Sequence, residues 1–170
     1  AYGIPFPDVG ERFDRFEEQL EVITGLWATP AGATFNHDGR YYPIVDSPAL
    51  PKPIQQPVPI IVGGMGATRT PHLAATFATE FNTPFVPLED FVSQAQRVRA
   101  ACDAIERNPS TLVYSAAVIM CIGETESEFQ RRAEAVTAVT GMTAEQIRRN
   151  CIAGTANQAH EAIEQWSNAG

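Results

Sequence analysis

The chain has 170 residues, 44% of them apolar and 19% charged, which is enough hydrophobic material for one packed core and too little charge for a disordered chain. Twenty acidic against twelve basic side chains give a formal net charge of −8, and Lys52 is the only lysine, so no basic stripe exists to neutralise a nucleic-acid backbone. No apolar run approaches the roughly 18 residues that span a bilayer, and the first residues lack the charged and apolar regions of a signal peptide. Cys102, Cys121 and Cys151 match neither a disulfide framework nor a zinc motif, so the composition predicts a cytoplasmic chain with no nucleic-acid or membrane partner.

Asp8 followed by Glu11 has capping-box spacing, and Val9, Phe13, Phe16, Leu20, Ile23 and Trp27 then recur at steps of four and three. This predicts an amphipathic helix, weakened at Gly25, ended by Pro30 and presenting Glu11, Arg12, Arg15, Glu18 and Glu21 as a solvated face. Seven of the thirteen prolines fall between Pro30 and Pro59, so that stretch is a long connection held extended by residues that fix φ and lack a donor. Within it, residues 33–36, a turn at His37-Asp38-Gly39-Arg40 and the pair Tyr41-Tyr42 suggest a small hairpin.

Ile60-Ile61-Val62 is continuously apolar and stops abruptly at Gly63-Gly64-Met65-Gly66, the pattern of a central parallel strand buried on both faces. Thr70 is placed to cap a helix with Pro71 at its first position. A second strand follows at residues 80–83, and Phe91, Ala95, Val98, Cys102 and Ile105 set out another amphipathic helix closed by Asn108-Pro109. Leu112 to Ile122 reads as a third strand, and Thr125 with Glu128 opens a helix that stops at Gly141. Two further helices are expected, one after Thr143 and one from about Ala156 to Asn168, with Gly170 as its cap.

Helices alternating with buried strands argue for an α/β fold of parallel βαβ units. A complete (β/α)8 barrel takes about 250 residues, roughly 30 per unit, so a chain with three strands is either a small open sheet or part of a barrel. A beginning at Ala1 without a methionine favours a fragment. Its unpaired strand edges and inner barrel surface would then make the chain associate, as a homo-oligomer or an aggregate, or stay partly molten.

The Gly63-Gly64-Met65-Gly66 turn is the best candidate for chemistry, because α/β folds place ligands at the carboxyl ends of strands. Glycines there let backbone N–H groups approach a phosphate, Thr68 could donate a hydroxyl hydrogen bond, and Arg69 could make a paired contact. A tight βα loop that needs positive φ explains the same glycines equally well. Asn82, ending the second strand, is placed to hydrogen-bond a ligand or to cap the strand. His37, His72 and His160 have no metal or charge-relay spacing, and the cysteines fall where Cys behaves as a small hydrophobe.

Several segments together resemble the bacterial luciferase-like monooxygenase family, particularly its branch that uses the deazaflavin coenzyme F420. They are Ala1 to Pro7, Glu11-Arg12-Phe13 through Gly25-Leu26-Trp27, Pro51-Lys52-Pro53-Ile54-Gln55, Pro59 to Gly64, Glu80-Phe81-Asn82 and Ile152-Ala153-Gly154-Thr155. The resemblance implies part of a TIM (β/α)8 barrel over residues 1–170 as a single domain, with strands corresponding to roughly the fifth to seventh, and the first four and the last lacking. It implies a cofactor, F420 or alternatively FMN, whose phosphate is held by Gly63, Gly64 and Gly66 with Met65 between them, and by Thr68 and Arg69. It further implies hydride transfer between that cofactor and a small organic substrate, and it assigns no catalytic residue within this chain.

A second reading makes the chain catalytically silent, acting only as a phosphate-binding or assembly module. A third, an unrelated open α/β domain binding a nucleotide, lacks the G-x-G-x-x-G spacing and the acidic residue for a ribose.

Overall fold

The computed structural model describes residues 3 and 5–169, and contacts group the chain into two compact units, Ala1–Ile60 and Ile61–Gly170. The first of the resembling segments thus lies partly outside the described residues, and the expected cap Gly170 wholly so.

In the first unit, helix α1 (Val9–Ala28) begins as the sequence predicts, with the Asp8 carboxylate accepting the Glu11 N–H at 3.0 Å. Glu11 turns its own carboxylate to the Arg15 guanidinium, which donates at 2.9 and 2.7 Å. Gly25 is a packing requirement, because a Cβ there would lie 2.2 Å from the Phe35 ring. Phe35 opens β1 (Phe35–His37), which pairs antiparallel with β2 (Ile44–Ser47). The second hairpin strand therefore lies beyond Tyr41-Tyr42, where the sequence placed it, and those tyrosines belong to the turn. Lys52 donates its Nζ to the Leu26 carbonyl at 2.7 Å, supplying the cation that the last turn of α1 lacks.

Glu18 is not a solvated charge. Its side chain is 11% exposed, and its carboxylate accepts the Tyr41 N–H at 2.8 and 3.1 Å and the Tyr42 N–H at 2.5 Å. Burial opposes its ionisation, but the N–H donors of Tyr42 and Tyr41, together with His37, outweigh burial and hold the carboxyl below its ordinary range.

In the second unit, β3 (Ile61–Gly63), β4 (Glu80–Pro84) and β5 (Val113–Ala117) pair in parallel in that order, connected by α2 (Arg69–Phe77) and α3 (Leu88–Ala104). The register puts Val62, Phe81 and Tyr114 on one face and Gly63, Asn82 and Ser115 on the other. Leu73, Ala74 and Ala75 of α2 and Phe91, Ala95, Val98 and Cys102 of α3 are buried with Val62 and Phe81, so the helices cover the first of these faces. Two expectations change here. The central strand is β4, with β3 at an edge, and β3 is buried on one face only, Val62 being 2% exposed and Ile61 61%.

Arg107 fixes the far end of α2 by donating to the carbonyls of Ala75 and Ala78, each at 2.8 Å, and of Ala74 at 3.4 Å, while its Nε reaches Thr111 Oγ1 at 3.0 Å. This supplies from outside the positive charge that the last turn of α2 does not contain.

The expected third strand is two strands. The chain leaves the first sheet after Ala117, and β6 (Met120–Gly123) pairs in parallel with β7 (Ile152–Thr155), a strand where the sequence suggested only a turn. An apolar run continuous through Ala117 to Met120 carries no signal for a change of partner. Helices α4 (Glu126–Thr140) and α5 (Ala144–Asn150) pack Phe129, Ala133 and Ile147 against Cys121, Cys151 and Ala153, and α6 (Ala156–Asn168) follows β7. All three thiols are free and buried, and burial pushes each of them up. Among the described residues no helix is long and apolar enough to cross a membrane, and no group of acidic, His or Cys side chains could hold a metal ion.

Candidate functional site

The turn that leaves β3 is shaped by steric limits on its glycines. Gly63 pairs with Asn82 so closely that a Cβ would sit 3.1 Å from the Asn82 carbonyl oxygen. Gly64 has φ +135°, a conformation that only glycine adopts without strain, and donates its N–H to that same carbonyl at 3.2 Å. Gly66 meets the first turn of α2, where an added Cβ would lie 2.5 Å from Thr70 Oγ1.

The start of α2 differs from expectation. The helix opens at Arg69 with Thr68 as its N-cap, and Thr70 is turned inward, 5% exposed, against Gly66. The Thr68 hydroxyl makes no capping bond. Met65 is 37% exposed, Ala67 and Thr68 are exposed, and Arg69 is half-buried and has a partner of its own.

The turn's carbonyls are held from beneath. Gln94, on α3 and 0% exposed, donates its Nε2 to the Gly66 carbonyl at 2.8 Å and to the Gly64 carbonyl at 3.4 Å, and its Oε1 accepts from Arg97 at 2.9 Å. A trans peptide points its C=O and its N–H in opposite directions. Fixing the Gly64 and Gly66 carbonyls toward α3 therefore directs the N–H groups of Met65 and Ala67 away from it. Neither N–H donates to a carbonyl among the described residues. Two outward amides beside the N-terminus of a nine-residue helix put partial positive charge on this side of the turn, the kind of arrangement that favours an anion.

Asn82 is engaged on the sheet face opposite the helices. Its Nδ2 donates to Ser115 Oγ at 2.8 Å, and that hydroxyl donates to Glu80 Oε1 at 2.5 Å, so one carboxamide proton and the Oδ1 acceptor of Asn82 are left over among the described residues. The register thus brings together Gly63, Gly64 and Asn82, while α2 brings Thr68 and Arg69 to the same end of the sheet.

Sequence reasoning missed Gln94, Ser115 and Glu80. Gln94 was legible in principle, because it stands three residues after Phe91 and four before Val98, on the apolar stripe where a polar side chain must have a buried partner. Elsewhere, a cleft of about 350 Å³ beside β5, lined by Phe91, Tyr114, Ile163 and Trp166 among others, contains no charged residue. His37, whose Nε2 lies 3.7 Å from Glu18 and 4.0 Å from Glu21, belongs to the packing of the hairpin against α1.

The parallel βαβ arrangement, with a glycine turn at a strand's carboxyl end, defines an α/β fold, a class in which that end of the sheet is the usual place for a ligand. The sequence profile of the luciferase-like monooxygenase family matches residues 1–170, and the chain belongs to that family. Among curated relatives, an F420-dependent glucose-6-phosphate dehydrogenase of Microbacterium testaceum is 31% identical over 115 residues, covering 61% of this chain and 33% of the relative. An FMNH2-dependent dimethylsulfone monooxygenase of Pseudomonas putida is 28% identical over 104 residues, covering 61% of this chain and 28% of the relative. The fold matches that of an F420-dependent secondary alcohol dehydrogenase solved with an F420-acetone adduct, with a TM-score of 0.80 at 16% identity over 98% of this chain and 56% of that one. It also matches an EDTA monooxygenase from Chelativorans sp. BNC1, with a TM-score of 0.76 at 20% identity over 99% and 55% of the two chains. The chain thus spans about a third of these curated relatives' length and about half of the solved chains'.

Proposed function

We propose that residues 1–170 are a contiguous part of a luciferase-like barrel whose task is to hold the phosphate end of coenzyme F420 in an oxidoreductase acting on a small organic substrate. The observation that carries this reading is the turn at residues 63–67, whose outward Met65 and Ala67 N–H groups are left without a carbonyl partner among the described residues. Family membership supports the cofactor class, and the F420-dependent relatives favour F420 over FMN.

The donor set suits a phosphate. Each N–H to a charged oxygen contributes about 1.5–3 kcal/mol, and the α2 N-terminus adds roughly 0.3–1 kcal/mol. The chain's net charge of −8 opposes an anion, but charges more than about 8 Å away are largely screened at physiological salt, so the local donors dominate. Gly63, Gly64 and Gly66 allow the close approach, the Thr68 hydroxyl and the Arg69 guanidinium flank it, and the free acceptor and donor of Asn82 orient the bound molecule. When bound, the deazaflavin supplies the carbon that gives or takes a hydride. The side chains that exclude water around that carbon and move protons are contributed by parts of the protein outside this segment, and association of chains covers the β5 edge.

Titration of the purified chain with F420 and with FMN, followed by ring fluorescence, tests this reading. Quenching by F420 at lower concentration than by FMN, with competition by inorganic phosphate, is the expected result. Quenching by neither, with phosphate also unbound, contradicts it, and binding without turnover supports the binding module over a self-sufficient enzyme.

A further inference from the structure

We propose that Gln94 is the positioning residue that makes the glycine turn a binding element, by holding the Gly64 and Gly66 carbonyls so that the Met65 and Ala67 N–H groups face an incoming anion. This rests on the phosphate-holding reading above and adds to it a residue that itself touches no ligand.

A glycine turn is intrinsically loose. Glycine loses more backbone freedom on ordering than any other residue, and three of the four residues at 63–66 are glycine. Left alone, such a segment must be ordered by its ligand, and that cost is subtracted from affinity. Gln94 removes the cost beforehand. Its side chain is fully buried on α3, its carboxamide nitrogen reaches two carbonyls of the turn, and Arg97 occupies the carboxamide oxygen, which fixes which end faces the loop. The carbonyls can accept only from a donor, so a carboxamide suits the position and an ionised carboxylate would repel them. Burial of a polar group on the apolar stripe of α3 is otherwise unfavourable, and here the turn supplies its carbonyl partners among the described residues.

The test compares the chain with its Gln94→Met and Gln94→Glu variants, using sulfate as a probe that stays fully ionised, by calorimetry, and 15N relaxation of the turn amides. Gln94→Met keeps the side-chain length and removes the donor. It is expected to bind sulfate about tenfold more weakly, the equivalent of one to two lost hydrogen bonds. The amides of Met65, Gly66 and Ala67 are expected to pass from rigid to mobile, while those of α3 remain rigid. Gln94→Glu is expected to bind poorly at about pH 8 and to recover toward the parent chain, measured at the same pH, as its carboxyl protonates on the way down to about pH 4, below the ordinary glutamate value of about 4.3. A role limited to stability would not give that pH-dependent rescue.

If Gln94→Met folds with unchanged loop order and unchanged sulfate affinity, the proposal is overturned. If Gln94→Met does not fold, the pH series on Gln94→Glu decides, and an affinity ratio to the parent chain that does not change with pH overturns it. If the parent chain binds no anion while the turn still loosens in Gln94→Met, the phosphate-holding reading fails and the positioning of the turn by Gln94 stands.

Discussion

Residues 41–42 and residues 64–67 are both turns held by a helix side chain remote in sequence, Glu18 of α1 in the first unit and Gln94 of α3 in the second. The two holders have opposite polarity. The Glu18 carboxylate takes up the N–H groups of Tyr41 and Tyr42, so those two amides are not presented to an anion. The Gln94 carboxamide takes up carbonyls, which sends the neighbouring N–H groups outward. One arrangement takes up a turn's amides and the other leaves them facing outward, and each uses one polar helix side chain to do so.

The largest effect is expected where the glycine turn is filled. In Gly66→Val the new side chain meets Thr70 at the start of α2, which should abolish anion binding and cost about 1–3 kcal/mol by overpacking. Denaturant unfolding and phosphate titration check both parts. Adding Thr70→Ala to Gly66→Ala should restore most of the stability, because the Oγ1 at 2.5 Å is the nearest obstacle. Next comes Arg107→Met, which leaves three carbonyls at the end of α2 without their cation and should lower unfolding free energy by about 1–3 kcal/mol, while phosphate affinity falls less than in Gly66→Val.

The turn held by Glu18 responds to pH. The folded-state pKa of Glu18 lies below its ordinary value, so its contribution to stability is complete above the ordinary carboxylate range and is lost as pH falls through the lowered value. Glu18→Gln should therefore be less stable than the parent at neutral pH, and the two should converge in acid, as read from urea midpoints across that range. The smallest effect is expected at the exposed Arg149–Glu89 pair, where Arg149→Ala should leave the urea midpoint unchanged within measurement.

Local rules made much of this legible. The start of α1 was readable because Asp8 and the four-three spacing act within one turn of chain, and the glycine turn because β-branched residues stop against glycines. What escaped was decided by long-range partners. Val118 and Ile119 look like strand, yet β5 pairs with β4 and β6 with β7, and no periodicity records a change of partner. Glu18 reads as one more acidic residue on a polar face until the hairpin brings two N–H groups to it. Asn82 was readable as a polar strand end, but its bond to Ser115, 33 positions away, depends on register. Gln94 was the most recoverable of these, a polar residue on an apolar stripe.

The central claim is that the turn after β3 offers its amides to a phosphate while the Glu18 turn does not. Titrating the 15N-labelled chain with inorganic phosphate addresses this residue by residue. The amide signals of Met65 and Ala67 are expected to shift saturably, with those of Tyr41 and Tyr42 unmoved. Unmoved signals at Met65 and Ala67, or equal shifts at both turns, would contradict it.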